Sequence, residues 1–376
     1  MKKIVIIGAN EFQNKLIIRA KELGYETHVF AWRENAPGEK TADYFYPVSI
    51  MNKEEILSIC KKVKPCAITS IASDLAMITV NFVANALNLP CNSKECLNFT
   101  TNKFSMRKRL KESGVYTPNF LKVTKVDYLN KLEDIKNLFL KDNSSAVIVK
   151  PTDRSGSRGI TKVYSIEGIK EALMSAFDNS FEDAAIVEEY IDGEEYSCEC
   201  ISYKSKHTCL AITKKMTTGE PHFIETGHIQ PSGLDGARTK KVSDTVFRAL
   251  DSLKIENGAS HSEFKIDRYG NVKIIEIGAR MGGDCIGSDL VQISTGYDFL
   301  RMVIDTAQGK EPLFVKTSAP KTAEVHFIFN NEDLKVLNEI EKLSPEKIYY
   351  KSYIDNIGSR KVVDSSTRFG YYILAY

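Results

Sequence analysis

The stretch His261-Ser-Glu263-Phe-Lys265-Ile-Asp-Arg-Tyr-Gly270-Asn-Val-Lys-Ile-Ile-Glu276-Ile-Gly278-Ala-Arg280-Met-Gly282-Gly283-Asp284 reads as two β-strands joined by a tight turn. Side chains alternate faces along a strand. His261, Glu263 and Lys265 therefore share one face of the first strand, with Phe264 and Ile266 opposite. Glu276, Gly278 and Arg280 share a face of the second, with Ile275 and Ile277 opposite. A turn around Tyr269-Gly270 sets Glu263 directly across from Glu276. Facing like charges destabilise a sheet unless a cation lies between them. Charges on a strand are ordinarily a solvated face whose ion pairs are worth little. Here the strands are otherwise apolar (Val272, Ile274, Ile275, Ile277) and Gly-Gly follows at once. Two carboxylates, an arginine and a Gly-Gly turn point to a site for Mg²⁺ and a phosphorylated intermediate.

The rest of the chain bounds what such a site can serve. It has 376 residues, 43% apolar and 27% charged, enough for two or three domains with their own cores. A net charge of +2 gives no basic excess for nucleic acid. No apolar run approaches membrane-spanning length. Eight cysteines, at 60, 66, 91, 96, 198, 200, 209 and 285, form no CxxC pair and fit neither a zinc ribbon nor a disulfide framework. Free thiols in a reducing compartment are the expectation. The opening Met-Lys-Lys-Ile-Val-Ile-Ile-Gly is too short for a signal peptide, so a cytoplasmic location is expected. The expected partners are small molecules, with neither nucleic acid nor membrane, and a homodimer is compatible with this reading.

Upstream, strand and helix alternate over the first ninety or so residues, implying a parallel sheet in a Rossmann-like unit. Gly8-Ala-Asn10 is not the G-x-G-x-x-G fingerprint, so that unit reads as a scaffold whose strand ends reach a substrate pocket. A helical linker runs from Asn98 to Phe120. A small mixed segment follows, then a strand-rich stretch from Glu194 to Gln230 and a helix over about Lys240–Leu253. Beyond the hairpin, Ser288–Gln308 reads as one helix, and the C-terminal stretch as a small β-rich lobe. The implied division is 1–97, 98–192 and 193–376.

Two further segments carry chemistry. Lys150-Pro-Thr-Asp-Arg-Ser155-Gly156-Ser157-Arg-Gly159 is a strand ending in lysine, then a Gly/Ser loop. Small residues let backbone N–H groups approach phosphate oxygens, and the lysine adds a point charge. No Gly-Lys-Ser/Thr follows, so this is not a Walker A loop, and a plain surface loop remains open. Ala185-Ile-Val-Glu188-Glu189-Tyr190-Ile191-Asp-Gly193-Glu194-Glu195 is a strand, a turn and another strand, and can offer backbone to adenine and a carboxylate to ribose.

The order of these pieces is the specific signal. Thr101-Asn-Lys103, Lys150-Pro with its loop, Val187-Glu-Glu-Tyr-Ile with Glu195, Glu263, then Glu276 to Arg280 closely resembles the ATP-grasp superfamily over nearly the whole chain. The resemblance implies an α/β and α+β fold: a Rossmann-like N-terminal domain, then two α+β lobes clasping ATP. It implies that Lys103 and Lys150 hold the ATP phosphates, and that Ser155, Gly156, Ser157 and Gly159 belong to a loop closing over them. Glu188, Tyr190 and Ile191 stand at the adenine, and Glu195 at the ribose. Glu263 and Glu276 match the Mg²⁺ carboxylates, with Mn²⁺ an alternative ion, and Arg280 matches the arginine that stabilises the acyl phosphate. The family usually reads Glu-x-Asn-x-Arg, and Gly278 replaces the Asn, so a ligand is lost; water or Asp284 is a candidate substitute.

Three more features are similar to ATP-dependent L-amino-acid ligases that make dipeptides: Glu225-Thr-Gly-His228-Ile-Gln-Pro231, His261 two residues before Glu263, and Ser366-Thr-Arg368-Phe-Gly370. That similarity implies a carboxylate and an amine as substrates. His228 is assigned to substrate binding or to a structural hydrogen bond, His261 to a polar catalytic role, and Arg368 to a surface ion pair. Gly282 and Gly283 are assigned as backbone donors to a substrate carboxylate. A bicarbonate-using enzyme of the biotin carboxylase type and a nucleotide-binding module without turnover are the alternatives.

Overall fold

The computed structural model describes residues 1–140, 146–156, 158–220, 223–358 and 360–376, with backbone only at 139 and 140. The N-terminal unit runs β1 (Lys2–Ile7), α1 (Glu11–Glu22), β2 (Tyr25–Phe30), α2 (Gly38–Thr41), β3 (Tyr44–Tyr46), α3 (Lys53–Val63), β4 (Ala67–Thr69) and α4 (Asp74–Ala86). The strands form a parallel sheet in the order β3-β2-β1-β4. Ile4, Val5, Ile6 and Ile7 are all fully buried, as expected of a strand covered on both faces. Ser73 caps α4 by accepting from the Ala76 N–H, which sets Asp74 in the first turn, where the helix dipole favours an anion. The short strand β3 has no counterpart in the sequence reading.

The linker is two helices, α5 (Lys94–Thr101) and α6 (Lys103–Glu112), the second capped by Asn102. A middle lobe follows: β5 (Phe120–Thr124), α7 (Leu132–Leu140), β6 (Val147–Pro151), β7 (Thr161–Val163), α8 (Ile169–Asn179) and β8 (Ala184–Glu189). Its antiparallel sheet has the order β5-β8-β6-β7, packed around Val123, Ile135, Val149, Leu173, Phe177 and Val187.

The last part comprises β9 (Glu194–Tyr203), β10 (Lys206–Thr217), β11 (Glu225–Gln230), α9 (Gly236–Ser252), β12 (Gly258–Ile266) and β13 (Val272–Gly278), then α10 (Val291–Thr295), α11 (Phe299–Ala307), β14 (Ala323–Phe327), α12 (Asn331–Leu343), β15 (Ile348–Lys351) and β16 (Tyr371–Ala375). Two expectations are corrected here. The C-terminal stretch is not a separate lobe. β14, β16 and β15 extend the same antiparallel sheet, whose order is β13-β12-β9-β10-β11-β14-β16-β15. Nor is Ser288–Gln308 one helix. A π-turn over Ile286–Leu290 leads into α10, Gly296 breaks it at φ +80, and Asp298 caps α11 afresh. A side chain at Gly296 would put its Cβ 2.3 Å from the Ser318 carbonyl oxygen, so the break is built into the packing.

β12 and β13 pair as the alternation requires, with Glu263 opposite Glu276 and His261 opposite Gly278. A bulge then shifts the register, so Phe264 pairs with Ile274. Ile275, expected on the far face, is turned into the cleft between the lobes.

Candidate active site

The cleft between the middle lobe and the large sheet gathers both lysines and both of the facing carboxylates, Glu263 and Glu276. Lys103, Lys150, Glu263, Glu276 and Arg280 all line it, as do Ser155 and Gly156. At its apolar end Pro118, Ile148, Ile160, Phe223 and Ile275 surround Tyr190 and Ile191, a slot suited to a flat ring. Lys162 Nζ stands 3.5 Å from the Tyr190 ring centroid. The Ile191 carbonyl accepts from Lys265 Nζ at 3.3 Å. Ser157 lies outside the described residues. Gly159 is not itself among the cleft-lining residues, and a Cβ there would lie within 3.2 Å of Pro151 and Asn179 at the end of α8.

The lysines and carboxylates at the centre of the cleft are matched by protein groups. Lys103 Nζ donates to Glu276 Oε1 and to the Arg154 carbonyl, both at 2.7 Å. Lys150 Nζ lies 2.6 Å from Glu188 Oε2. Glu188 is also held by Arg107, whose Nε is 2.5 Å from Oε1, and Arg107 donates in turn to the Ile275 carbonyl. Burial raises the Glu188 pKa, but Arg107 and Lys150 outweigh it and hold the carboxyl below its usual range. Burial lowers the Lys150 pKa, and Glu188 restores only part of the loss. The side chain of Glu188 thus serves the Lys150–Arg107 lock, leaving backbone for any adenine contact. Arg107 sits one helical turn after Lys103 on α6, on the same face.

Glu263 faces two partners, Lys215 and His261. Lys215 Nζ is 2.6 Å from it, and also 3.1 Å from Glu195 and 3.6 Å from Glu225. Burial works against the Lys215 charge, yet these carboxylates raise its pKa well above normal. His261 Nε2 is 3.2 Å from Glu263, and its Nδ1 contacts the fully buried Glu199. Burial lowers the His261 pKa, but Glu199 and Glu263 override it and push the value up to about 9. His261 therefore holds its proton at neutral pH and acts as a cationic donor rather than a base. Lys215, Glu199 and Arg107 were missed in the sequence because partners on other strands define their roles.

Arg280 is gripped from another domain. Its Nε and Nη2 each donate to Asp74 at 2.9 Å, a bidentate pair. Burial opposes the guanidinium charge, and Asp74 more than restores it, raising its pKa. Gly278 makes the pair possible: a Cβ there would fall 2.6 Å from Asp74 Oδ1 and 3.1 Å from Arg280 Nε. The carboxylate of Asp74 thus stands where the expected Asn side chain would begin. Asp284 does not compensate, since it is 2.7 Å from Arg368 Nη2. Arg368 is in turn no surface pair. Its side chain is 6% exposed, with the guanidinium 3.6 Å from the Phe327 ring centroid.

Two other assignments change. The Gly282 N–H donates to Glu199 at 2.9 Å, so it is already committed, and a Cβ at 282 would come 2.7 Å from His261 Nδ1. Gly283 packs against Ala72 and does not line the cleft. His228 lies outside the cleft lining, 5.8 Å edge-on from Phe327, with no partner on either ring nitrogen among the described residues. The structural hydrogen bond expected for it is therefore not made. Burial, with Lys215 next, pushes its pKa down to about 3.

Two α+β lobes closing on a cleft of paired lysines and facing carboxylates, behind a Rossmann-like unit, define a nucleotide-clasping fold. Residues 143–289 match the family profile described as an ATP-grasp domain. Over 176 residues it is 31% identical to a D-alanine–D-alanine ligase of Christiangramia forsetii, covering 45% of this chain and 53% of that protein. It is 25% identical over 274 residues to alanine–anticapsin ligase of Bacillus subtilis, covering 67% and 56% respectively. The matches span about half the length of these curated relatives. A crystal structure of an L-amino acid ligase from Bacillus licheniformis superposes with a TM-score of 0.79 at 22% identity, covering 100% of this chain and 93% of that one. That likeness shows the fold.

The donor set also suits a hard divalent ion. Glu263 and Glu276 are register partners whose side chains keep 23% and 24% exposure, and carboxylate oxygens are the ligands Mg²⁺ and Mn²⁺ prefer. Lys215, His261 and Lys103 are the cations that meet their charge here.

Proposed function

We propose that this protein is an ATP-dependent ligase that activates a carboxylate as an acyl phosphate and joins it to an amine, with amino acids supplying both groups and a peptide bond as the product. The observation that carries the reading is the meeting of Lys103, Lys150, Glu263, Glu276 and Arg280 in one cleft. The similarity to alanine–anticapsin ligase supports amino-acid substrates.

In the proposed reaction the apolar slot around Tyr190 takes the base, and Glu195, already paired with Lys215, takes the ribose hydroxyls. Lys103 and Lys150 hold the phosphates in line, their present partners Glu276 and Glu188 being released or shared as the anion enters. Glu263 and Glu276 would hold Mg²⁺, which supplies charge neutralisation for phosphoryl transfer when bound. The substrate carboxylate oxygen attacks the γ-phosphorus and the bond to ADP breaks. The amine nitrogen then attacks the acyl carbon, phosphate leaves, and the proton shed by the amine passes to it. Arg280, fixed by Asp74, donates to the oxyanion of the tetrahedral adduct. Closure of the lobes keeps water from the acyl phosphate.

The test is a panel of amino-acid pairs with ATP and Mg²⁺, scored for ADP and phosphate. Release that needs both a carboxylate and an amine supports the proposal. Release driven by bicarbonate without an amino acid points to a carboxylase, and nucleotide binding without any turnover points to a silent module.

A further inference from the structure

The strand that places Glu199 behind His261 carries two cysteines on its other face. Cys198 and Cys200 flank Glu199 on β9, so their side chains project behind the sheet. Cys209 on β10 is the register partner of Cys200. The three sulfurs lie within 4.8 Å of one another, with Cys198 Sγ 3.6 Å from Cys200 Sγ and 3.4 Å from Cys209 Sγ. Cys198 and Cys200 are fully buried, and Cys209 is half-buried, which leaves one side open to solvent. The surrounding layer is apolar and includes Tyr196, Ile212, Val242 and Val246.

A second observation points to the same spot. On the neighbouring strand β12, Ser262 is the register partner of Cys198 and Ser260 that of Cys200, so both hydroxyls project to the thiol side. Both serines are 0% exposed, and neither hydroxyl has a partner among the described residues. Buried polar groups are normally satisfied, and leaving a hydroxyl unpaired costs roughly 1–3 kcal/mol. Three thiols and two orphaned hydroxyls in one apolar layer are therefore poor packing but a coherent ligand set.

We propose that Cys198, Cys200 and Cys209 form a site for a soft d¹⁰ cation of the Zn²⁺ or Cd²⁺ type, with Ser260 and Ser262 donating hydrogen bonds to the bound sulfurs. Soft thiolates select such ions, whereas the carboxylates of the cleft select hard ones, so the two sites differ in chemistry as well as in face. A zinc–sulfur bond of about 2.3 Å in tetrahedral geometry sets sulfur–sulfur edges near ~3.8 Å. The observed contacts are within a few tenths of that, so a bound ion needs little rearrangement. On binding, each thiol gives its proton to water and its sulfur lone pair to the ion, and no electron changes hands. Three thiolates around a divalent ion leave one net negative charge, which the serine hydroxyls can meet.

The experiment uses the full chain, reduced and stripped of metal. Zn²⁺ is titrated in competition with a chromophoric chelator, and Cd²⁺ is followed by sulfur-to-metal charge-transfer absorption. One ion per chain with a charge-transfer band is expected. Cys209→Ser, at the half-buried position and the variant least prone to misfold, should abolish the band. Ser260→Ala with Ser262→Ala should weaken binding by about the 10–100-fold typical of lost outer-shell partners. Cys60→Ser, in the N-terminal unit, should change nothing. Failure to take up one ion, uptake without the band, or binding untouched by Cys209→Ser would overturn the proposal. The titration reads neither ATP nor turnover, so its failure leaves the ligase reading standing, and the reverse.

Discussion

Replacing Asp74 with alanine removes the only bidentate partner of Arg280 among the described residues, and does so from a different domain. Both bonds measure 2.9 Å, and the side chains are 12% and 15% exposed. Removing one member of a buried ion pair costs roughly 3–5 kcal/mol. Residual exposure places this pair at the lower end, about 3 kcal/mol. If that energy is what holds the guanidinium against the oxyanion, its loss lowers kcat by about 100-fold, at ~1.4 kcal/mol per factor of ten. Arg280 would then turn toward Glu276 and Glu199, the next carboxylates acting on it. Asp74 is not part of the nucleotide cleft lining, so the Kd for ADP should be unchanged. The assay is steady-state phosphate release beside calorimetric ADP binding, with circular dichroism to confirm folding. Gly278→Ala should reproduce the defect from the other side, because its Cβ would enter the Asp74 carboxylate. A folded Asp74→Ala protein with unchanged kcat would refute the positioning role of the clamp.

Other outcomes follow from the same geometry. Glu188→Gln leaves Arg107 and Lys150 as uncompensated buried cations and should destabilise the protein by about 3–5 kcal/mol, read as a drop in Tm. His261, raised from 6.5 to about 9, contributes ~3 kcal/mol of stability that is fully present below pH 6.5 and lost as pH climbs through 9. In urea titrations the gap between wild type and His261→Asn should accordingly close over that window. His228, lowered to about 3, has the opposite sign: the unfolded chain takes up the proton first, so stability falls as pH drops from 6.5 toward 3. His228→Leu should lessen that acid loss, and a variant as acid-sensitive as wild type would remove His228 from the account. Chelating Mg²⁺ should abolish turnover, and Glu263→Gln should shift the Mg²⁺ dependence to higher concentration, since it deletes one of the two facing ligand groups.

What the sequence made legible was local or ordered along the chain. The Glu263–Glu276 pairing followed from strand alternation and a turn around Tyr269-Gly270, and β12 and β13 bear it out. The helix–strand order of the N-terminal unit was legible for the same reason. The clamp on Arg280 was not, because Asp74 lies some two hundred positions away and only the packing of α4 against the strand end brings it near. Gly278 looked like a missing ligand. In three dimensions it is the space that admits Asp74. Lys215 and Glu199 sit in strands where a charge at a buried alternation position was the available sign, but their partners stand on other strands of the sheet. The bulge that turns Ile275 into the cleft breaks the simple period that placed it outside. The C-terminal strands carried no mark of joining the central sheet, since pairing at long sequence separation leaves no local trace.

The central claim is that this cleft makes an acyl phosphate from a carboxylate and ATP. It is tested most directly with a carboxylate substrate, found in the amino-acid panel, whose oxygens carry a heavy isotope. An acyl phosphate intermediate predicts that one labelled oxygen per turnover appears in the released phosphate, and that Glu276→Ala stops both label transfer and turnover. Unlabelled phosphate, or full turnover by Glu276→Ala, would contradict the account.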